Sequence, residues 1–126
     1  MDAEGNMRSA ANLYMNGPEI FAFTLQAVPD AVQRLLERAG KSMSDIDQFV
    51  FHQANKYMLE HLRKKRNIPP DQFFVSMQHT GNTVSSTIPI ALRQASEQGR
   101  IRQGDLLMLV GFGVGYSWGA TLLRWT

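Results

Sequence analysis

The spacing of apolar residues changes several times along the chain, and each change marks an element. Ile20-Phe21-Ala22-Phe23 is a short apolar run and predicts a strand. Val28, Val32, Leu35, Leu36 and Ala39 then recur at helical spacing, with Gly40 where a helix C-terminus favours glycine. Pro29 either opens this helix or kinks it. Asp45 to Phe51 reads as a strand, and Ala54, Tyr57, Met58 and Leu62 mark one face of a second helix, closed by Asn67 to Pro70. Phe73 to Met77 predicts another strand. Val84, Ile88, Ala91, Leu92 and Ala95 form the stripe of a third helix ended by Gly99, and Pro89 within it predicts a kink. Two long apolar runs, Asp105 to Phe112 and Trp118 to Trp125, are joined by the glycine-rich turn Gly113 to Ser117 and read as a hairpin-like pair.

The predicted order is β-α-β-α-β-α-β-β, an α/β fold with a mostly parallel, five-stranded mixed sheet and helices on its faces. The last strand, reached through a short turn, runs antiparallel to its neighbour. Residues 1–18 are polar and patternless and suit a linker or loop; residues 19–126 are expected to form one domain. In sheets of this kind binding groups collect where strands end and helices begin. His52 and Asn82 fall at such junctions, and Phe112-Gly113-Val114 lies at the end of another strand, so three chemically distinctive segments converge on one edge of the sheet.

Composition narrows the setting. A chain of 126 residues, 44% hydrophobic and 19% charged, is an ordinary globular domain long enough for a real core. No apolar run approaches the roughly 18 residues of a membrane span, so no membrane partner is expected. A net charge of +2 is too small to argue for nucleic acid. The opening stretch has neither a cationic n-region nor an apolar h-region, so no secretory signal is expected. The absence of cysteine excludes disulfides and zinc-thiolate sites, and together with the missing signal it predicts a cytoplasmic address. The one basic run, Arg63-Lys64-Lys65-Arg66, ends a helical pattern; it is either a solvated helix end favoured by the dipole or a patch for an acidic partner.

A lone His after a strand is commonly structural, and Gly-Asn before a helix, as in Gly81-Asn82, is commonly turn and cap chemistry. The combination suggests more. A neutral imidazole N–H and an amide N–H aimed at one point would be two preorganised donors, able to stabilise an enolate or oxyanion on a thioester carbonyl. No neighbouring carboxylate suggests a triad, and there are too few ligands for a metal.

Three segments carry a resemblance: His52-Gln53-Ala54-Asn55, the stretch GNTVSSTIPIAL from Gly81, and GDLLMLVGFGVGYSWGATLLRW from Gly104. From about Met15 to Trp125 the chain resembles the C-terminal half of 3-oxoacyl-(acyl carrier protein) synthase III, a condensing enzyme of the thiolase-like superfamily. The resemblance implies two similar halves packed as an α-β-α-β-α sandwich, of which this chain is one, a fragment whose partner is the N-terminal half bearing the nucleophilic cysteine. It implies that His52 and Asn82 are catalytic, binding the malonyl thioester carbonyl, promoting decarboxylation and stabilising the enolate that attacks the acyl primer. It places Phe112 beside the active site and Asn55 near the pantetheine arm, although plain core and helix cap remain open for these two. The implied partners are acyl carrier protein and coenzyme A thioesters, with a homodimer in the full enzyme; the substrates are acyl-CoA or acyl-carrier thioesters and a malonyl thioester, with no cofactor.

Two departures from the family pattern stand out. The family's hairpin usually reads GFGGG, whereas Gly111-Phe112-Gly113-Val114-Gly115 carries valine where a backbone N–H completes the oxyanion hole. A β-branched residue does not readily take the φ > 0 conformations open to glycine, so a pocket shaped for a different acyl chain is expected. The helix after His52 often carries a cation for carrier docking; Lys56, beside Tyr57, and Arg63 are the candidates. Two other readings keep His52 and Asn82: malonyl-thioester decarboxylation by this chain alone, and a non-catalytic carrier-binding or assembly module that self-associates through its exposed apolar face.

Overall fold

Asn16, Pro18 and Gly40 bracket the first helix, α1, Gly17–Ala39. The Asn16 side-chain oxygen accepts from the Glu19 N–H at 3.3 Å, and Pro18 sits at the helix start, where a missing N–H leaves nothing unpaired. Gly40 ends the helix in the left-handed conformation at φ 60°, and the N–H of Lys41 turns back onto the Leu36 carbonyl at 2.9 Å. The computed structural model describes residues 1–126 apart from Asp2, Glu4, Asn6, Arg8 and Val114.

The run Ile20 to Phe23, expected as a strand, is helical. The cap at Asn16 starts the helix upstream of it, and Thr24, Val28, Val32 and Leu36 form one buried stripe. Pro29 lies inside α1 rather than opening it. A helical proline strands the carbonyl four residues back, and here the Leu25 carbonyl instead accepts from Lys65 Nζ at 2.6 Å.

β1, Gln48–Phe51, is buried at every position. It pairs in parallel with β2, Leu106–Gly113, from Gln48 opposite Leu107 to Phe51 opposite Val110. β3, Ser117–Arg124, returns antiparallel to β2, with Leu106 opposite Arg124 and Gly113 opposite Ser117. Among the described residues the sheet therefore has three strands in the order β1-β2-β3 rather than five. Phe73 makes a single parallel bridge to Phe49, and the Phe74 N–H reaches the Phe49 carbonyl at 3.0 Å. No ladder develops there, because the Ser76 N–H is taken by the buried Gln53 side chain at 2.8 Å.

Helices cover both faces of the sheet, as the alternation of strands and helices predicts. α2, Lys56–Lys65, joins α1 against the face carrying Phe49, Phe51, Met108, Val110 and Phe112. α3, Thr87–Glu97, packs Ala91 and Ala95 against Val50 and Leu107 on the other. Successive residues of β2 alternate between the two cores, which is why its whole length is apolar.

The third helix starts later than its stripe suggested. Val84 to Ser86 form a 3-10 turn, and Val84 is exposed rather than buried. Pro89 therefore falls in the first turn of α3, where backbone N–H groups have no helical partner, and no kink is required of it.

Candidate active site

The end of β1 delivers His52. Its backbone N–H continues the parallel ladder to the Val110 carbonyl at 2.8 Å. Its ring meets Phe112, at the far end of β2, edge to face, with centroids 5.2 Å apart and planes at 81°. The imidazole is half-buried, and burial holds its pKa below the ordinary value of 6.5, so it is neutral at neutral pH. Nδ1 lies 2.6 Å from Thr87 Oγ1, and Thr87 is 3% exposed. Only Nε2 is left to meet a ligand.

Gln53 fixes the loop that follows. Its Nε2 donates to the carbonyls of Phe51 at 2.7 Å and Phe74 at 3.3 Å, while Oε1 accepts from Ser76. Asn55 then caps α2: its Oδ1 accepts from the Met58 N–H at 2.8 Å. The cap uses only the oxygen, so the amide N–H groups of Asn55 stay available for a second partner.

Asn82 is held differently. Gly81 takes φ 63°, a value that favours glycine, and Asn82 Oδ1 accepts from the Val84 N–H at 2.9 Å. With its oxygen fixed, Asn82 presents its amide as a donor at the exposed start of the 3-10 turn. Val84 itself has φ 57°, unusual for a β-branched residue. This bent peptide serves both groups. Its N–H orients Asn82, and its carbonyl accepts from the Thr87 N–H and lies 3.1 Å from Thr87 Oγ1. A hydrogen-bonded path thus runs from Asn82 through Val84 and Thr87 to His52, joining residues from two separate junctions. Sequence reasoning missed Thr87, Val84 and Gln53. Their only signal was position, within and just after the two segments that carry the chemistry.

Lys56 and Arg63 take no part in this path. Val114 lies outside the described residues. Lys56 is the first residue of α2, where a cation opposes the helix dipole. Arg63 is engaged internally: its side chain, 15% exposed, pairs with Glu60 at 2.9 Å and donates from Nη1 to the Ile68 carbonyl, also at 2.9 Å. Glu60 is held below its ordinary pKa, chiefly by the hydrogen bond from Arg63. Two further cations of the basic run are likewise used within the chain, Lys65 on the Leu25 carbonyl and Arg66 on Gln33. Among the described residues no group of three or more His, Cys, Asp or Glu could hold a metal, and no helix is long and apolar enough to cross a membrane.

Residues 36–125 match the family described as 3-oxoacyl-[acyl-carrier-protein (ACP)] synthase III C terminal. The chain is 42% identical over 113 residues to the beta-ketoacyl-[acyl-carrier-protein] synthase III of Symbiobacterium thermophilum, covering 90% of this chain and 34% of that relative. A crystal structure of a 3-oxoacyl-(acyl-carrier-protein) synthase III superposes with a TM-score of 0.93 at 53% identity, covering 98% of this chain and 37% of the other. The synthase III from Thermus thermophilus superposes with a TM-score of 0.88 at 40% identity, over 91% of this chain and 36% of its own. The chain thus spans about a third of the length of the relatives it matches, with which it shares a thiolase-like α/β fold. By sequence and by fold, the chain belongs to the 3-oxoacyl-(acyl-carrier-protein) synthase III family, in the part described as its C terminal.

Proposed function

We propose that this chain is the C-terminal catalytic portion of a condensing acyltransferase that decarboxylates a malonyl thioester and joins the product to an acyl primer. The observation that carries the reading is the path linking Asn82 and His52, two polar groups from separate junctions, which leaves the Asn82 amide N–H groups and His52 Nε2 free to act as donors. Two such donors stabilise charge on a thioester oxygen as carbon dioxide departs, and the resulting enolate carbon attacks the acyl group. The acyl group is carried by a cysteine from the N-terminal portion of the enzyme, since this chain has none. The chemistry uses thioesters of coenzyme A or acyl carrier protein and calls for no metal or redox cofactor. The domain is assigned to residues 19–126, acting in a cytoplasmic homodimer.

Phe112 lines the reacting centre with an apolar edge against His52. Asn55 meets the pantetheine arm with the amide N–H groups its cap leaves over. Val114 is assigned to the acyl pocket from its place in the run Gly111 to Gly115. Lys56 is the favoured carrier-docking cation, because its place at the start of α2 works against helix stability and Arg63 is already engaged.

The test is a malonyl-thioester decarboxylation assay on the protein carrying its N-terminal portion. His52→Ala and Asn82→Ala are each expected to slow carbon dioxide release by about 10²- to 10³-fold, the usual cost of one oxyanion donor, while acyl transfer from primer to enzyme is retained. Undiminished decarboxylation by His52→Ala would sink the role given to that residue.

A further inference from the structure

An imidazole with one N–H can present either a donor or a lone pair at Nε2, and the group bonded to Nδ1 decides which. His52 Nδ1 is 2.6 Å from Thr87 Oγ1, whose single hydroxyl proton has two places to go. One is the Val84 carbonyl at 3.1 Å, which already accepts the Thr87 N–H. The other is His52 Nδ1, at the shorter distance and without another hydrogen-bond partner among the described residues. Sending the proton to Nδ1 leaves no group unsatisfied and puts the imidazole N–H on Nε2. Sending it to Val84 lets the imidazole donate from Nδ1 to Thr87 Oγ1, which satisfies every group as well, but it reverses the tautomer and turns a lone pair toward the ligand, where it would repel a carbonyl oxygen.

We infer that Thr87 is a positioning residue whose hydroxyl donates to His52 Nδ1 and thereby fixes His52 as an Nε2–H donor. The choice between the two arrangements rests on the thioester reading, which needs a donor at Nε2; its test does not. Thr87 opens α3 and is buried, so the backbone fixes its hydroxyl against the ring. The same 3-10 turn orients Asn82 through the Val84 N–H, so one short segment sets the direction of both donors.

The imidazole nitrogens of His52 are to be read by ¹⁵N-detected NMR on the chain, at a pH where the ring is neutral, with the resonance assigned by its loss in His52→Gln. The expected result is a protonated Nε2 and an unprotonated Nδ1 shifted upfield as a hydrogen-bond acceptor. Thr87→Val should abolish that upfield shift, and Thr87→Ser should restore it. A protonated Nδ1 in the unsubstituted chain overturns the inference without any variant having to fold. So does an Nδ1 resonance unchanged in a folded Thr87→Val chain. Neither result touches the decarboxylation assay, which would still stand or fall on its own.

Discussion

The His52 imidazole is half-buried against Phe112 and Thr87, and its burial has a consequence for folding as well as chemistry. Its pKa is lowered in the folded chain by desolvation, while in the unfolded chain it titrates near its ordinary value of 6.5. Between the two values the unfolded state binds more protons, so stability rises with pH there. The contribution is intact above 6.5 and is lost as pH falls toward the lowered folded value. Urea unfolding across that window should show stability dropping as acid is added, with a shallower drop in His52→Ala. An equal slope in the variant would assign the dependence to another group. The carboxylates of Glu60 and Asp45, both held below their ordinary values by hydrogen bonds, add their own loss only further into acid. At this scale His52 and Asn82 could be singled out because one directly follows a strand and the other stands just before a helical turn. Thr87 could not be, since its contact with His52 spans 35 positions and exists only once β1 and the start of α3 are side by side.

The second helix carries a prediction of its own, because Asn55 serves it as a cap and the site as a candidate ligand. Asn55→Ala should destabilise the chain by about 1 kcal/mol, the usual cost of losing a side-chain cap. Asn55→Asp keeps an oxygen for the Met58 N–H and places a negative charge at the favourable end of the dipole, so it should fold as well as the parent. It has no amide to donate, however, and in the protein with its N-terminal portion it should raise KM for the carrier thioester. Unfolding midpoints and steady-state kinetics on the two variants separate the roles; a KM unchanged in Asn55→Asp would leave only the cap. Periodicity located α2, the body of α3 and the β2–β3 pair. It misjudged Ile20 to Phe23, where four apolar residues fit either period and the cap at Asn16 decided for helix. It also misjudged Phe73 to Met77, where a buried glutamine takes the N–H that a strand would have donated to a neighbour.

At the scale of the whole molecule, apolar side chains are left exposed along one edge of the sheet. β3 is an edge strand, with Trp118 51% and Leu123 38% exposed, and Phe23 stacks on Tyr116 at 4.3 Å beside Trp118. A long, exposed, apolar edge is a template for another chain, so the isolated chain should self-associate as its concentration rises. Sedimentation velocity should show this, and Leu123→Lys should weaken it; a strictly monomeric species at high concentration would count against it. The amphipathic stripes and the continuous apolar run of β2 already required an α/β layering, because a strand apolar on both faces must be covered on both. The sequence by itself therefore determined the layers, the β2–β3 pair and the two junctions that bear His52 and Asn82. Only the tertiary structure decided which atoms those residues leave for a ligand, the Asn82 amide nitrogen and His52 Nε2. That depends on the turn at Val84 and on hydrogen bonds between segments far apart in the chain, and no local pattern of residues encodes such distances.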